Sequence, residues 1–572
     1  MNVSLPIRQR LHAEFAAAVG RAFPDLKDLC FEVSKPREKA FGDFSTNVAM
    51  VAGKRLKANP TEVARKIAEG VEVPSALIAS IDIVKPGFIN IAVAPPTYLD
   101  KLREIAAHPA DDDYGRSTVG EGEKIQVEFV SANPTGPLNV VSARAAAVGD
   151  ALVKILDHVG YDAKSEFYIN DGGTQVELLG QSLKARFHEA LGERLDLPDG
   201  GYPGEYLADI AQRIKTLAGD ADEASFDFAR FAVTEIVAMQ RNSLDCFGRR
   251  PDGGVRFDMW VRESSLKEDV GIVLDALVSD GRFVVEKEGA VWLKGAGQGE
   301  EDEWVIRRST GQPTYFLTDI TYHIDKRKRG FDRVIDIWGP DHHGHIGRMQ
   351  TAMQVVSKVI PGLEIAEDWL RVLVAQQVNL VREGKRVQMS KRAGEYVTLD
   401  DILREIAPDP ENPRTGADVA RFFFLMRRCN SHLDFDLDLA KKMSDENPVY
   451  YVQYAHARIS SIIEFAKENG FEEMPPGRAD LSLLTSDEAT ELIKAVADFD
   501  DLIIGSAMAL EPHRIPVYLI DLAGKFHRFY HNNRVVTDDR AMSEARLYLC
   551  YAVRTILRSA LSLIGISAPT FM

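Results

Sequence analysis

Cysteine is scarce: the 572 residues contain four, Cys30, Cys246, Cys429 and Cys550, far apart and never as CxxC. That spacing argues against a disulfide framework or a cysteine zinc site and fits a reducing cytosol, so a cytoplasmic location is expected. Uncharged apolar runs of membrane-spanning length are missing, which excludes a transmembrane helix of the usual kind. The opening MNVSLPIRQRLHAEFAAAVG spreads its charges at helical spacing and lacks the apolar core and cleavage site of a secretory leader. GxGxxG and the P-loop lysine, two marks of phosphate-holding loops, are absent as well. Positive charge is in deficit, with 69 Lys and Arg against 86 Asp and Glu and a net charge of -17. On its face that disfavours a nucleic-acid partner.

What is present qualifies the last point. Basic residues cluster at Asp325–Arg333 (DKRKRGFDR), Met426–Arg428 and Lys525–Arg534 (KFHRFYHNNR). The first two read as solvated faces. In the third, Phe526, Phe529 and Tyr530 interleave with Lys525, His527, Arg528 and Arg534, a mixture suited to base stacking with phosphate contact. An amphipathic helix with its aromatics in the core is the competing reading.

A chain of this length exceeds one hydrophobic core, so three or four domains are expected. Residues 1–112 read as an independent α+β unit that ends in the acidic linker PADDDYGRSTVGEGE. From Lys124 onward strands such as IQVEFV and AKSEFYIN alternate with helical patterns, and PTYFLTDI, RVIDIWG and RVLVAQQVNLV read as further strands. That alternation predicts a doubly wound, Rossmann-like parallel sheet over residues 120–407, with an insertion at about 190–301. From 408 to 572 the pattern turns wholly helical.

Doubly wound sheets hold ligands at the carboxyl ends of their strands. There the sequence places Glu128 and Asn133, then Tyr315 and Asp319, then Asp341, His342 and His343. Carboxylates with a tyrosine and an amide would suit a cation able to take bidentate hydrogen bonds, such as a guanidinium. His342, His343 and His345 cannot all ligate one ion from an extended chain, because successive side chains alternate in direction; no metal site is expected. The glycine-flanked GKRVQMSKRAGEYVTL sets Lys385, Arg386, Lys391 and Arg392 around Met389 and Ser390, as stabilisation of a phosphoryl group requires. The similar KKMSDEN at Lys441–Asn447 puts Asp445 where a cation is needed and is set aside.

Together these stretches resemble the class I aminoacyl-tRNA synthetases, specifically the arginyl-tRNA synthetase family. VEFVSANPTGPL, YINDGGTQVELLGQSL, IDIWGPDHHGHIGRMQTAM and VQMSKRAGEYVTLDDI are similar to its catalytic domain. FGDFSTNVAM and VKPGFINIAV resemble its N-terminal domain, and NPVYYVQYAHARI and LSLIGISAP its helical C-terminal region. The resemblance implies ATP-dependent activation of L-arginine to arginyl-adenylate and transfer to arginine tRNA. It implies that Glu128, Asn133, Tyr315 and Asp319 hold arginine. Pro137, Leu138, Val141, Asp341, His342, Met389 and Ser390 would line the ATP site, and Asn139, Ser142 and Lys391 would be catalytic. By the same resemblance the N-terminal domain touches the tRNA elbow, the helical domain reads the anticodon through Lys525, Arg528, Tyr530 and Arg534, magnesium arrives with ATP phosphates, and the protein is a monomer.

One signature departs from the family. Where the family pattern reads His-x-Gly-His, this chain reads Asn139-Val140-Val141-Ser142. An amide NH₂ and a hydroxyl can still donate to phosphate, and Ser142 is placed to cap the following helix. Val141 puts a branched side chain where the family keeps bare backbone. Two readings follow: a working arginine–tRNA ligase with a variant signature, or a catalytically weak tRNA-binding or regulatory relative.

Overall fold

The structure is a computed structural model that describes residues 5–108, 114–193, 195–218, 226–248, 254–295, 303–387, 397–409, 411–471 and 479–572. Its centre is a five-stranded sheet in the spatial order Leu370–Val374, Arg333–Trp338, Lys124–Glu128, Asp162–Ile169, Met259–Arg262. Every neighbouring pair is parallel. The inner strands bury both faces, as a parallel sheet covered by helices requires. Chain order reverses between Lys124–Glu128 and Arg333–Trp338, and this is where doubly wound sheets leave a crevice.

The helix Val140–His158, alanine-rich and buried along most of its length, packs close to the sheet on the strength of its small side chains. Two buried arginines tie it to later parts of the chain. Arg144 donates to the carbonyls of Gln376, Arg428 and Ser431 at 2.7–2.9 Å. Asp150, from the same helix, pairs with Arg421, which also donates to the carbonyls of Ile564 (3.0 Å) and Phe247 (3.2 Å). Gly565 accommodates this: its φ is +71°, and a Cβ there would lie 2.4 Å from the Arg421 guanidinium.

Before the sheet domain lies a four-stranded antiparallel sheet, in the order Val33–Ser34, Phe44–Thr46, Phe88–Val93, Ile78–Val84, with four helices. After it, long helices that include Pro448–Glu468, Arg514–Asn532 and Arg540–Leu563 form the C-terminal region. The first and last regions meet through ion pairs, among them the buried Lys101–Asp500 and the more open Arg8–Asp501.

Four expectations change. PTYFLTDI is not a strand: Tyr315–Lys328 is a helix, because Phe316, Leu317, Ile320 and Ile324 bury one helical face despite their strand-favouring types. RVLVAQQVNLV is two strands, Leu370–Val374 and Val378–Arg382, which belong to different sheets. The stretch 190–301 is not a separable insertion, since Met259–Arg262 within it is the edge strand of the central sheet, four residues too short to show a period. Nor is 408–572 wholly helical: Leu433–Asp436 pairs in parallel with Val378–Arg382.

Candidate active site

At the carboxyl end of Lys124–Glu128 the chain turns through two left-handed residues, Val130 (φ 68°) and Ser131 (φ 36°). A β-branched residue there is strained, and such strain persists where the surroundings dictate it. The turn lets Ser131 Oγ donate to Glu128 Oε1 at 2.8 Å while accepting from the Tyr168 N–H at 3.1 Å. Glu128 is buried, and its other oxygen takes a 2.5 Å hydrogen bond from Lys326 Nζ. Asn133, expected beside it, is exposed; its amide donates to Gln175 at 3.1 Å, and its carbonyl accepts from Gln240.

Tyr315 and Asp319 stand one turn apart at the start of the helix Tyr315–Lys328, so they share a face. Tyr315 is 54% exposed. Its hydroxyl lies so near Gly173 (φ +78°) that a Cβ there would be 2.6 Å away. Asp319 faces His345 Nε2 at 3.3 Å. Sequence reasoning missed a further carboxylate. Glu263, just past the edge strand Met259–Arg262, accepts from the Tyr168 hydroxyl at 3.1 Å. Burial, with Asp319 and Asp171 nearby, pushes its carboxyl above the usual range. The signal was its position, a polar residue at a strand's carboxyl end, but the strand itself went unread. Burial also pushes the Tyr168 phenol up, helped by the charges of Glu263, Asp319 and Glu128, so three carboxylates surround one ring. A cation entering here meets a strong negative field.

On the other side of the crevice is the variant signature. Asn139 is the N-cap of Val140–His158: its Oδ1 accepts from the Ser142 N–H at 2.8 Å. Capping was expected of Ser142, so the roles are exchanged, with Ser142 supplying the backbone N–H and Asn139 the acceptor. Among the described residues no hydrogen bond engages the Asn139 NH₂ or the Ser142 hydroxyl. Val141 is half-buried and packs against the core. Leu138 is buried, its carbonyl accepting from Leu399 N–H at 2.8 Å, and Asn139 bridges to Thr398. The signature loop is thereby fastened to the residues that follow the second motif. Gln388, Met389, Ser390 and Lys391 themselves lie outside the described residues. Asp341, His342 and His343 sit exposed in the short helical turn Pro340–His345, His342 edge-on to Trp338 at 6.2 Å.

The run DKRKRGFDR is not merely a solvated face. Lys326 is fully buried, bridging Glu128 and Asp336, and Arg329 pairs with the buried Glu166. In KFHRFYHNNR, Phe526 and Phe529 are core residues, so two of the three expected stacking rings are internal. Outside that core, exposed Tyr454 and half-buried Arg458 form a patch, with His527 stacked on Tyr454 and Arg458 lying over Tyr454 (5.1 Å) and Tyr530 (5.4 Å). Arg528 and Arg534 are exposed nearby, whereas Lys525 is paired with Asp521.

A doubly wound sheet with a capped helix N-terminus, an anionic pocket and a motif-linked loop at its switch point defines a nucleotide-dependent enzyme that takes a cationic substrate. Comparison with known proteins narrows this. Residues 105–409 match the family model "tRNA synthetases class I (R), catalytic domain", residues 9–93 the "Arginyl tRNA synthetase N terminal domain", and residues 452–572 the "DALR anticodon binding domain". The chain is similar to the arginine–tRNA ligase of Desulforamulus reducens, 41% identical over 100% of this chain and 99% of that one. It is likewise similar to that of Moorella thermoacetica, 42% identical over the whole of both. Thermus thermophilus arginyl-tRNA synthetase shares the fold, with a TM-score of 0.75 at 22% identity over 99% of this chain and all of that one. The chain belongs to the arginyl-tRNA synthetase family.

Proposed function

We propose that the protein is a working arginine–tRNA ligase whose variant signature performs the usual phosphate-holding task. One observation carries this reading: Asn139 caps the helix that follows the strand Lys124–Glu128, so the altered loop keeps its preorganised N–H groups and dipole. Arginine enters with its guanidinium toward Asp319, Tyr315, Glu263 and the charge of Glu128. Its carboxylate oxygen attacks the α-phosphorus of ATP, the bond to the bridging oxygen breaks, and pyrophosphate leaves with that electron pair. Asn139 Nδ2 and Ser142 Oγ donate to phosphate oxygens as charge shifts, and Lys391 from the second motif neutralises the departing pyrophosphate. Asp341 and His342 face the ribose, and Pro137, Leu138 and Val141 support the adenine side. A terminal ribose hydroxyl of the tRNA then attacks the mixed anhydride and releases AMP.

Among the described residues no three or more acidic, histidine or cysteine side chains are grouped to hold an ion. Magnesium would arrive held through ATP phosphates. The patch of Tyr454, Arg458, His527, Tyr530 and Arg528 offers ring faces and guanidinium groups to anticodon bases and phosphates. The N-terminal domain is assigned to the tRNA elbow. No helix among the described residues is long and apolar enough to cross a membrane, and we place the protein in the cytoplasm as a monomer.

The test is arginine-dependent formation of arginyl-tRNA by purified protein, with arginine tRNA and ATP present. Product at a rate that supports translation confirms the reading. Intact tRNA binding without product would favour the catalytically weak relative.

A further inference from the structure

The buried Lys326 has no place in the mechanism above, and its position calls for one. It lies on the helix that carries Tyr315 and Asp319, and its side chain is 0% exposed. Nζ reaches Glu128 Oε2 at 2.5 Å and Asp336 Oδ1 at 2.8 Å, with the Tyr322 ring 4.4 Å away. Asp336, on the neighbouring strand, holds His323 Nε2 at 2.9 Å through its other oxygen. His323 Nδ1 in turn donates to the Asp319 carbonyl at 2.7 Å. One buried carboxylate thus anchors two residues of the substrate-facing helix, and one of these grips Glu128.

Stability alone is a weak reason for this arrangement, because a buried ion pair is often no better than well-packed apolar residues of the same volume. We infer that Lys326 is a positioning residue for arginine: it keeps the Glu128 carboxylate ionised and aimed at the crevice, and with His323 it sets the helix that presents Tyr315 and Asp319. This rests on the proposed arginine site, in which Glu128 supplies charge. The groups facing Glu128 are Lys326 and Tyr322 from the helix, Asp336 and Glu166 from flanking strands, Tyr168, and the Ser131 hydroxyl. Burial, with Asp336 and Glu166, pushes the Glu128 carboxyl up, and Lys326 offsets part of that. Without the ammonium, Glu128 would hold its proton to higher pH. Below that point arginine meets a neutral acid in place of a counter-charge; above it the charge returns.

The experiment measures steady-state aminoacylation by the full chain from pH 6 to 8.5, with arginine varied at saturating ATP and tRNA. Lys326→Met should raise the KM for arginine about tenfold or more at the acid end of this range, and the defect should shrink as pH rises. The kcat and the KM for ATP should change less than about threefold. Lys326→Gln, neutral but still a donor, should behave alike and serves if the methionine variant does not fold. Glu128→Gln should raise the arginine KM at every pH, and adding Lys326→Met to it should cost nothing more. A pH-independent loss shared by kcat and KM, with a lowered Tm, would make Lys326 merely structural and overturn the inference. An unchanged arginine KM in Glu128→Gln would remove Glu128 from the proposed site itself. An impaired Glu128→Gln beside an unimpaired Lys326→Met would sink the inference alone.

Discussion

Asn139 has two duties that three substitutions can separate. Its Oδ1 caps the helix Val140–His158 through the Ser142 N–H at 2.8 Å, and its NH₂ is the donor we propose for ATP. Removing an N-cap costs about 1 kcal/mol, which lowers the Tm of a domain this size by roughly 2–4 °C. Removing one preorganised donor to a developing phosphate charge costs roughly 3 kcal/mol, or about 10²–10³ in rate. Asn139→Ala loses both. Asn139→Asp keeps the cap, since aspartate caps as well as asparagine, and its charge suits the helix dipole. It replaces the donor with an anion facing the triphosphate, so Tm should hold while the rate falls by at least 10². Asn139→Ser keeps a cap and a hydroxyl and should lose less than about tenfold. The assay is arginine-dependent ATP–pyrophosphate exchange with tRNA present, run beside thermal unfolding. Near-normal exchange in Asn139→Asp would refute the claim that this amide touches ATP. An unchanged Tm in Asn139→Ala would refute the cap.

Three further outcomes are expected. Asp319→Asn should raise the arginine KM by about 10²-fold with tRNA affinity intact, because a charge-assisted hydrogen bond to the guanidinium is lost; equal losses for arginine and tRNA would count against the assignment. Arg421→Met strands Asp150 and the carbonyls of Ile564 and Phe247 without their guanidinium, and breaking a buried pair costs about 3–5 kcal/mol. Its unfolding midpoint in urea should fall clearly, whereas a shift within error would mean that Lys154, the other cation on Asp150, suffices. Arg458→Ala removes the guanidinium lying over Tyr454 and Tyr530 and should raise the KM for tRNA about 5–30-fold while leaving arginine and ATP untouched; a matching loss for the small substrates would place the patch elsewhere in the cycle.

Acid offers a separate check on the network beneath the site. Burial alone would raise the Asp336 carboxyl, but Lys326 and His323 more than offset it and hold it at about 2. A depressed carboxyl contributes stability that is complete above its unfolded value of about 4 and is lost as pH falls toward 2. Asp336→Asn should therefore flatten the acid limb of the urea midpoint between those values.

Periodic patterns and local chemistry made much of the protein readable. The strands IQVEFV and AKSEFYIN carry β-branched and aromatic residues between turn signals, the C-terminal helices repeat apolar residues every three or four positions, and the departure of Asn139-Val140-Val141-Ser142 from its family is visible letter by letter. Those features depend on neighbours in sequence, and so sequence records them. Tertiary structure decided the rest, because burial and long-range pairing depend on residues hundreds of positions away. Tyr315–Lys328 became a helix because its apolar face found the sheet. Met259–Arg262 became an edge strand only by lying beside Asp162–Ile169, bringing Glu263 to the pocket. A basic run that looked solvated put Lys326 under Glu128, 198 residues distant in the chain. A charge can be buried only where its partner waits, and that partner is supplied by the fold.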